Sequence, residues 1–272
     1  MTDNTITHVG GALRDMYDSR DFLFDDIRSH PVFAVGKFEK QEATEVIIPE
    51  FSPISNQGAA GTCVSQAACD MFELLHGAKH HTYRKTPQIS RRFLNWSITV
   101  PNNMAADGGA YPRDAFRSLR NNGVIDEKYM PYSDKTSVLA QKPDLDLFTM
   151  ASNNRINSFY RLNGSGDTLA DRIVDCIICT HPVFFCMTVT NDFQRYRGGG
   201  HVWYDMSGQV AGGHAMLIVG FKYIEATKKY LFLVRNSWSD RWGDDGYCWV
   251  GQDLITSETY DRWVGTAMEI LQ

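Results

Sequence analysis

A cysteine at position 63 ends a glycine-rich turn, Gln57-Gly-Ala-Ala-Gly-Thr-Cys63, and opens a segment whose apolar residues recur at helical spacing. A thiol at a helix start meets unpaired N–H groups and the positive end of the helix dipole, both of which favour its nucleophilic thiolate form. Gln57, six positions earlier, carries a side-chain amide suited to hold an oxyanion beside the backbone N–H of Cys63. The base that such a nucleophile needs is offered by Gly212-Gly-His-Ala-Met-Leu-Ile-Val-Gly220, where His214 starts an apolar strand after two glycines. A second apolar strand, Leu231-Phe-Leu-Val-Arg-Asn-Ser-Trp238, ends in Asn236, whose amide oxygen suits the role of orienting an imidazole N–H. Trp238 then shields that bond from water. Trp238-Ser-Asp-Arg-Trp-Gly-Asp-Asp-Gly-Tyr247 reads as an aromatic, turn-rich cleft wall that includes Trp242.

These groups must be positioned by regular elements. Val64, Ala67, Ala68, Met71, Phe72 and Leu75 recur three and four residues apart, which predicts an amphipathic helix from Thr62 to about His76, ending at Gly77. Further helices are expected over 114–120, stopped by Asn122-Gly123, and over 168–179, broken before Pro182. Beyond Pro182 the texture is that of strands, over 183–189, 214–221, 230–235, 247–250 and 266–270. Helices followed by strands imply an α+β protein of two subdomains with a cleft between them. Residues 1 to about 50, which contain the acidic Asp15-Met-Tyr-Asp-Ser-Arg-Asp21 and the extended Glu45-Val-Ile-Ile-Pro49, read as an appendage to that body.

Composition narrows the function classes. With 272 residues, 43% hydrophobic and 22% charged, the chain is long and apolar enough to bury a core without disulfides or metals. A net charge of −5 with no long Lys/Arg run argues against nucleic acid as a partner. No run reaches membrane-spanning length, and Met1 begins a stretch with no basic and apolar leader, so a cytoplasmic location is expected, with leaderless export left open. The six cysteines are expected as free thiols. Cys176-x-x-Cys179 falls inside a helical pattern with no second pair, so core packing is expected rather than a metal site. His80, His81 and His201 lack partners at ligand spacing and are read as surface or structural residues.

In order, Gln-Gly-x-x-Gly-x-Cys, Gly-His-Ala-x-x-x-Val-Gly and Asn-Ser-Trp-x-x-x-Trp-Gly-x-x-Gly-Tyr resemble the papain family of cysteine peptidases, over roughly residues 49–270. The resemblance implies a papain-like fold, with a helical left half and an antiparallel β-sheet or barrel as the right half. It places the peptidase domain at 51–272, split near 58–180 and 181–272 with the chain crossing between halves. His214 and Asn236 lie 151 and 173 residues past Cys63, slightly more than the family's usual spacing, an excess assigned to surface loops. It further implies that Asp107-Gly-Gly-Ala-Tyr-Pro112 binds substrate backbone through Gly108 and Gly109, and that Ala110, Tyr111, Cys186, Gly213 and Ala215 border the pocket for the second residue before the cleaved bond.

The chain also departs from the family. Ala60-Gly-Thr-Cys-Val64 lacks the cysteine usually found near the nucleophile and its following Trp, and Asp107 stands where another disulfide cysteine is common. Asp18-Ser-Arg-Asp21 resembles the N-terminal extension of some bacterial members, so residues 1–50 are expected across or beside the cleft. The implied activity is peptide hydrolysis through a Cys63 thioester, with no cofactor or metal, a peptide or protein as substrate, and a monomer as the working form. An acyl transferase or isopeptidase using the same residues, and a silent binding module, remain as alternatives.

Overall fold

The computed structural model describes residues 10–29, 33, 43–50, 52–80 and 86–267. The nucleophile's helix, α1 (Cys63–His80), is buried on nearly every side and forms the spine of the helical half. It runs past Gly77, contrary to the expected stop. Gly77 is itself buried, and packing offsets the roughly 1 kcal/mol that a helical glycine costs. Beside it lie α2 (Arg91–Thr99), whose N-cap Ser90 accepts from Phe93 N–H, and α3 (Pro112–Asn121), which starts on a proline with φ preset for the first turn. A shorter helix, α4 (Leu145–Ala151), closes this half.

The other half is one open sheet, not a closed barrel. Its strands run in the order β2 (Ile156–Arg161), β8 (Thr259–Ala267), β3 (Val183–Thr190), β5 (Val210–Ile224), β6 (Lys229–Arg235), β7 (Tyr247–Gly251) and β4 (Val202–Trp203). All pairings are antiparallel except β4 with β7. The segment expected as an appendage contributes β1 (Glu45–Ile47), which pairs with β5 beyond the end of β3, so residues 43–50 belong to the sheet. The helical half also ends earlier than residue 180. β2 is already in the sheet, and α5 (Gly166–Ile178) packs on β1, β3 and β5 and on α6 (Gln252–Glu258). The last strand begins at Thr259 rather than 266, because its charged Asp261 is buried against Arg161 and the segment therefore does not read as apolar. The expected residues 268–270 lie outside the described ones, as does His81.

The two halves are held by apolar contact. α1 packs against β3, β5 and β8, and Phe116 of α3 meets Phe159, Phe184 and Trp263 of the sheet at ring separations of 5.7, 5.3 and 5.8 Å. Such side chains contribute about 1.5–3 kcal/mol each on burial. Phe116→Ala is therefore expected to lower unfolding stability by about 3–5 kcal/mol in urea denaturation, since the surrounding rings cannot collapse into the space.

Candidate active site

The turn before α1 is built for close approach. Gly58 has φ +61, Thr62 N–H bonds to Ala60 O, and Gly61 N–H bonds to Asp107 O at 3.0 Å. This delivers Cys63 as the first residue of the helix, fully buried. Backbone N–H groups of Ala215, Gly11, Val64 and Cys63 itself face the sulfur. Burial nevertheless dominates and pushes the thiol up to about 11, with those four donors opposing the rise.

Ala215 follows His214 on β5, so its bond to the sulfur brings the base's strand to the nucleophile. His214 is fully buried, and its Nε2–H donates to Asn236 Oδ1 at 2.7 Å. That bond places the ring proton of the neutral imidazole on Nε2 and leaves Nδ1 as its acceptor nitrogen. Trp238 stacks on the imidazole at 4.3 Å and 23°, and Asn236 Oδ1 also accepts from Ser237 N–H at 2.8 Å. Asn236 stands just past the end of β6, which pairs with both β5 and β7.

Gln57 is fully buried and tied to the same segment. Its Oε1 accepts from Ser237 Oγ at 2.9 Å and from Trp238 Nε1 at 3.1 Å, while its Nε2 donates to Ala60 O at 2.9 Å. Its backbone N–H donates to Ser237 O at 3.0 Å. The amide oxygen is thus pinned, and the NH₂ end is directed at the turn in front of Cys63. Tyr132, which no spacing in the sequence marks, donates to Gln57 O at 2.8 Å and accepts from Thr62 Oγ1 at 2.7 Å.

The remaining expected residues separate into two groups. Gly109 and Ala110 on the helical side meet the backbone of Gly11, and Gly108 turns back on Ala105, while on the sheet Gly213 meets Ala12 and the buried Cys186 stands opposite Ala215 and Tyr260 in register. Tyr111 is 38% exposed and caps α3. Trp242 of the expected cleft wall packs inward. It is buried, its indole N–H donates to Phe193 O at 2.9 Å, and it packs on Trp238, Phe193 and Tyr196, so it buttresses the shielding indole.

Between the two walls runs the chain's own segment. Ala12 N–H donates to Gly213 O at 3.1 Å, Ala110 N–H donates to Gly11 O at 2.9 Å, and Leu13 N–H donates to Ala110 O at 3.0 Å. A Cβ on Gly11 would stand 2.0 Å from Gly61 O, so only glycine fits there. Downstream, Asp15 accepts from Arg113 N–H and Trp263 Nε1, and Arg113 grips Asp21 through two bonds of 2.8 and 2.7 Å.

The papain family cysteine protease model matches residues 42–261, four-fifths of the chain and all of the groups above except the N-terminal segment and Trp263. The chain belongs to that family. It is 25% identical over 97% of its length to an uncharacterised peptidase C1-like protein of Acanthamoeba polyphaga mimivirus, covering 88% of that protein. It is 29% identical to the thiol protease aleurain of Arabidopsis thaliana, over 76% of this chain and 56% of that one. Against pro-cathepsin H of Mus musculus the identity is 30% over 72% of this chain and 55% of the other. The chain thus spans about half the length of these last two relatives. Among solved structures, the fold matches xylellain, a cysteine protease from Xylella fastidiosa, with a TM-score of 0.77 at 22% identity, covering 99% of this chain and 100% of that one.

In this buried setting the thiol holds its proton more tightly than an ordinary cysteine, so its contribution favours the folded arrangement at low pH and is lost as pH rises through the ordinary cysteine value toward about 11. The thiolate ultraviolet absorbance that differs between the chain and its Cys63→Ser variant is expected to be missing at neutral pH and to grow in only as pH approaches about 11. A full difference signal at pH 7 would contradict the buried-thiol assignment.

Proposed function

We propose that this papain-family chain hydrolyses peptide bonds through a Cys63 thioester. The observation that carries this reading is the 2.7 Å bond from His214 Nε2 to Asn236 Oδ1 beneath Trp238, on a strand whose next N–H meets the Cys63 sulfur. His214 takes the thiol proton, and the thiolate attacks the peptide carbonyl to form the tetrahedral adduct. The oxyanion is held by the Gln57 NH₂ and the Cys63 N–H. His214 then gives the proton to the departing amine. Water, deprotonated by the same imidazole, attacks the thioester carbonyl, and collapse expels the Cys63 sulfur and releases the acid.

The segment at Gly10–Leu13 acts as a built-in occupant of the cleft. Support comes from its hydrogen bonds to both walls and from Gly11 N–H at the sulfur. A substrate backbone that uses Gly213 O and Ala110 N–H must displace it, because those groups are already bonded to Ala12 and Gly11.

Release of amine from fluorogenic peptides checks both parts. Cys63→Ser and His214→Ala are expected to remove turnover, and Gln57→Ala is expected to lower kcat by about 10²–10³ with little change in KM, as for loss of one oxyanion donor. Gly11→Val, whose side chain cannot fit against Gly61, is expected to raise turnover relative to the unaltered chain. An unchanged rate in Gly11→Val would overturn the role of the segment, and transfer of the acyl group to an added amine in place of water would mark an acyl transferase.

A further inference from the structure

A buried ionic cluster lies behind the site, outside the groups that the chemistry uses. Asp70 is seven residues beyond Cys63, which returns it to nearly the same side of α1 two turns along. Its carboxylate is 2% exposed and accepts from three different directions. Arg235 Nε donates to Asp70 Oδ2 at 3.1 Å, Ser55 Oγ donates to the same oxygen at 3.2 Å, and Arg91 Nη2 donates to Oδ1. Arg91 is in turn paired with Glu73, so two cations meet two carboxylates.

Arg235 is the residue immediately before Asn236 and is 1% exposed. Besides Asp70, its guanidinium donates to Tyr247 Oη at 2.9 Å, to Ser52 O at 3.2 Å and to Pro53 O at 2.5 Å. One planar fork therefore grips three chain segments. The first is the helix that starts at Cys63, the second is the strand end that carries Asn236, and the third is the stretch 52–55 that leads to Gln57. Neighbouring backbone bonds extend the same join, from Ser239 N–H to Ser55 O and from Gln57 N–H to Ser237 O.

We propose that the Asp70–Arg235 pair is a positioning device that sets the mutual register of Gln57, Cys63 and Asn236. The proposal rests on the peptidase reading above. A pair serving only to glue the fold could sit anywhere. This one ties together the three segments that carry the nucleophile, its orienting group and the oxyanion donor, with its cation one residue from Asn236. Loosening it lets Asn236 drift from His214, which destabilises the imidazolium and with it the thiolate. Misplacement of about 1 Å costs on the order of 10²-fold in rate.

The test uses the full chain and two readouts, peptide turnover and the pH dependence of Cys63 alkylation by iodoacetamide, the latter in the Gly11→Val background so that the covered thiol does not mask the pair. Asp70→Asn combined with Arg235→Gln removes one charge of each sign and leaves Arg91 with Glu73, so no buried charge is orphaned. This double variant is expected to melt cooperatively, to lose roughly 10–100-fold in kcat with KM nearly unchanged, and to show a narrowed alkylation profile, with the acid limb moved up and the alkaline limb moved down. Arg235→Lys keeps the charge but loses the fork, and it is expected to show the same narrowing to a smaller extent. It carries the test if the double variant does not fold. Wild-type kcat and an unshifted profile in whichever of these variants folds would overturn the positioning role alone. If Cys63 of the Gly11→Val chain alkylates no faster than its other thiols at any pH, the peptidase reading falls, and this proposal with it.

Discussion

The site depends on one join, between residues 52–57 and residues 235–239. Cys63 and His214, the proposed nucleophile and base, come from opposite halves of the molecule, one from a helix and one from a sheet, and apolar packing is non-directional. Hydrogen bonds are directional. Gln57 Oε1, held by Ser237 Oγ and Trp238 Nε1, and Gln57 N–H, held by Ser237 O, lock the approach to α1 onto the end of β6. The same stretch supplies Asn236 and Trp238 to the imidazole. An oxyanion donor, an orienting amide and a shielding ring are thereby fixed by one set of bonds, and the low dielectric of the buried site makes each of them stronger and more directional than in water.

The side chains that the fold gathers around Cys63 and His214 were legible in the sequence because the proposed chemistry restricts such groups to particular residue types at particular element boundaries. A thiol needs a helix start, a base needs room beside it, and both demands leave glycines in Gln57-Gly-Ala-Ala-Gly-Thr-Cys63 and Gly212-Gly-His214. The strands expected over 183–189 and 230–235 were legible for a simpler reason, since their centres, Val183 to Met187 and Leu231 to Val234, are unbroken apolar runs. What escaped was whatever depends on contact between distant residues. Asp70 and Arg235 read singly as ordinary surface charges, and only the fold brings them within 3.1 Å. β8 was misplaced because Asp261 and Arg262 break its apolar pattern, and α2 was passed over although Ser90 offers a side-chain cap.

The N-terminal segment illustrates the same limit. Its composition marks it as different from the body, and the expectation that it lies across or beside the cleft came from resemblance. Two kinds of contact place it: backbone bonds at Gly11, Ala12 and Leu13, with no side-chain signature beyond the need for glycine at position 11, and bonds of Asp15 and Asp21 to the distant Arg113 and Trp263, which no spacing reveals. Its backbone occupies Gly213 O and Ala110 N–H, and its Gly11 N–H faces the Cys63 sulfur and partly opposes the effect of burial, which holds the thiol proton.

The central claim is that Cys63 and His214 form a working nucleophile and base. The most direct measurement is to treat the full chain with a peptidyl epoxide, map the adduct by mass spectrometry among the six cysteines, and repeat the reaction with His214→Ala. Labelling confined to Cys63, lost in the His214 variant and accelerated by Gly11→Val, is the result expected of a thiolate formed by that imidazole in a cleft that opens. Labelling spread over several cysteines, or labelling of Cys63 at the same rate without the histidine, would contradict the account.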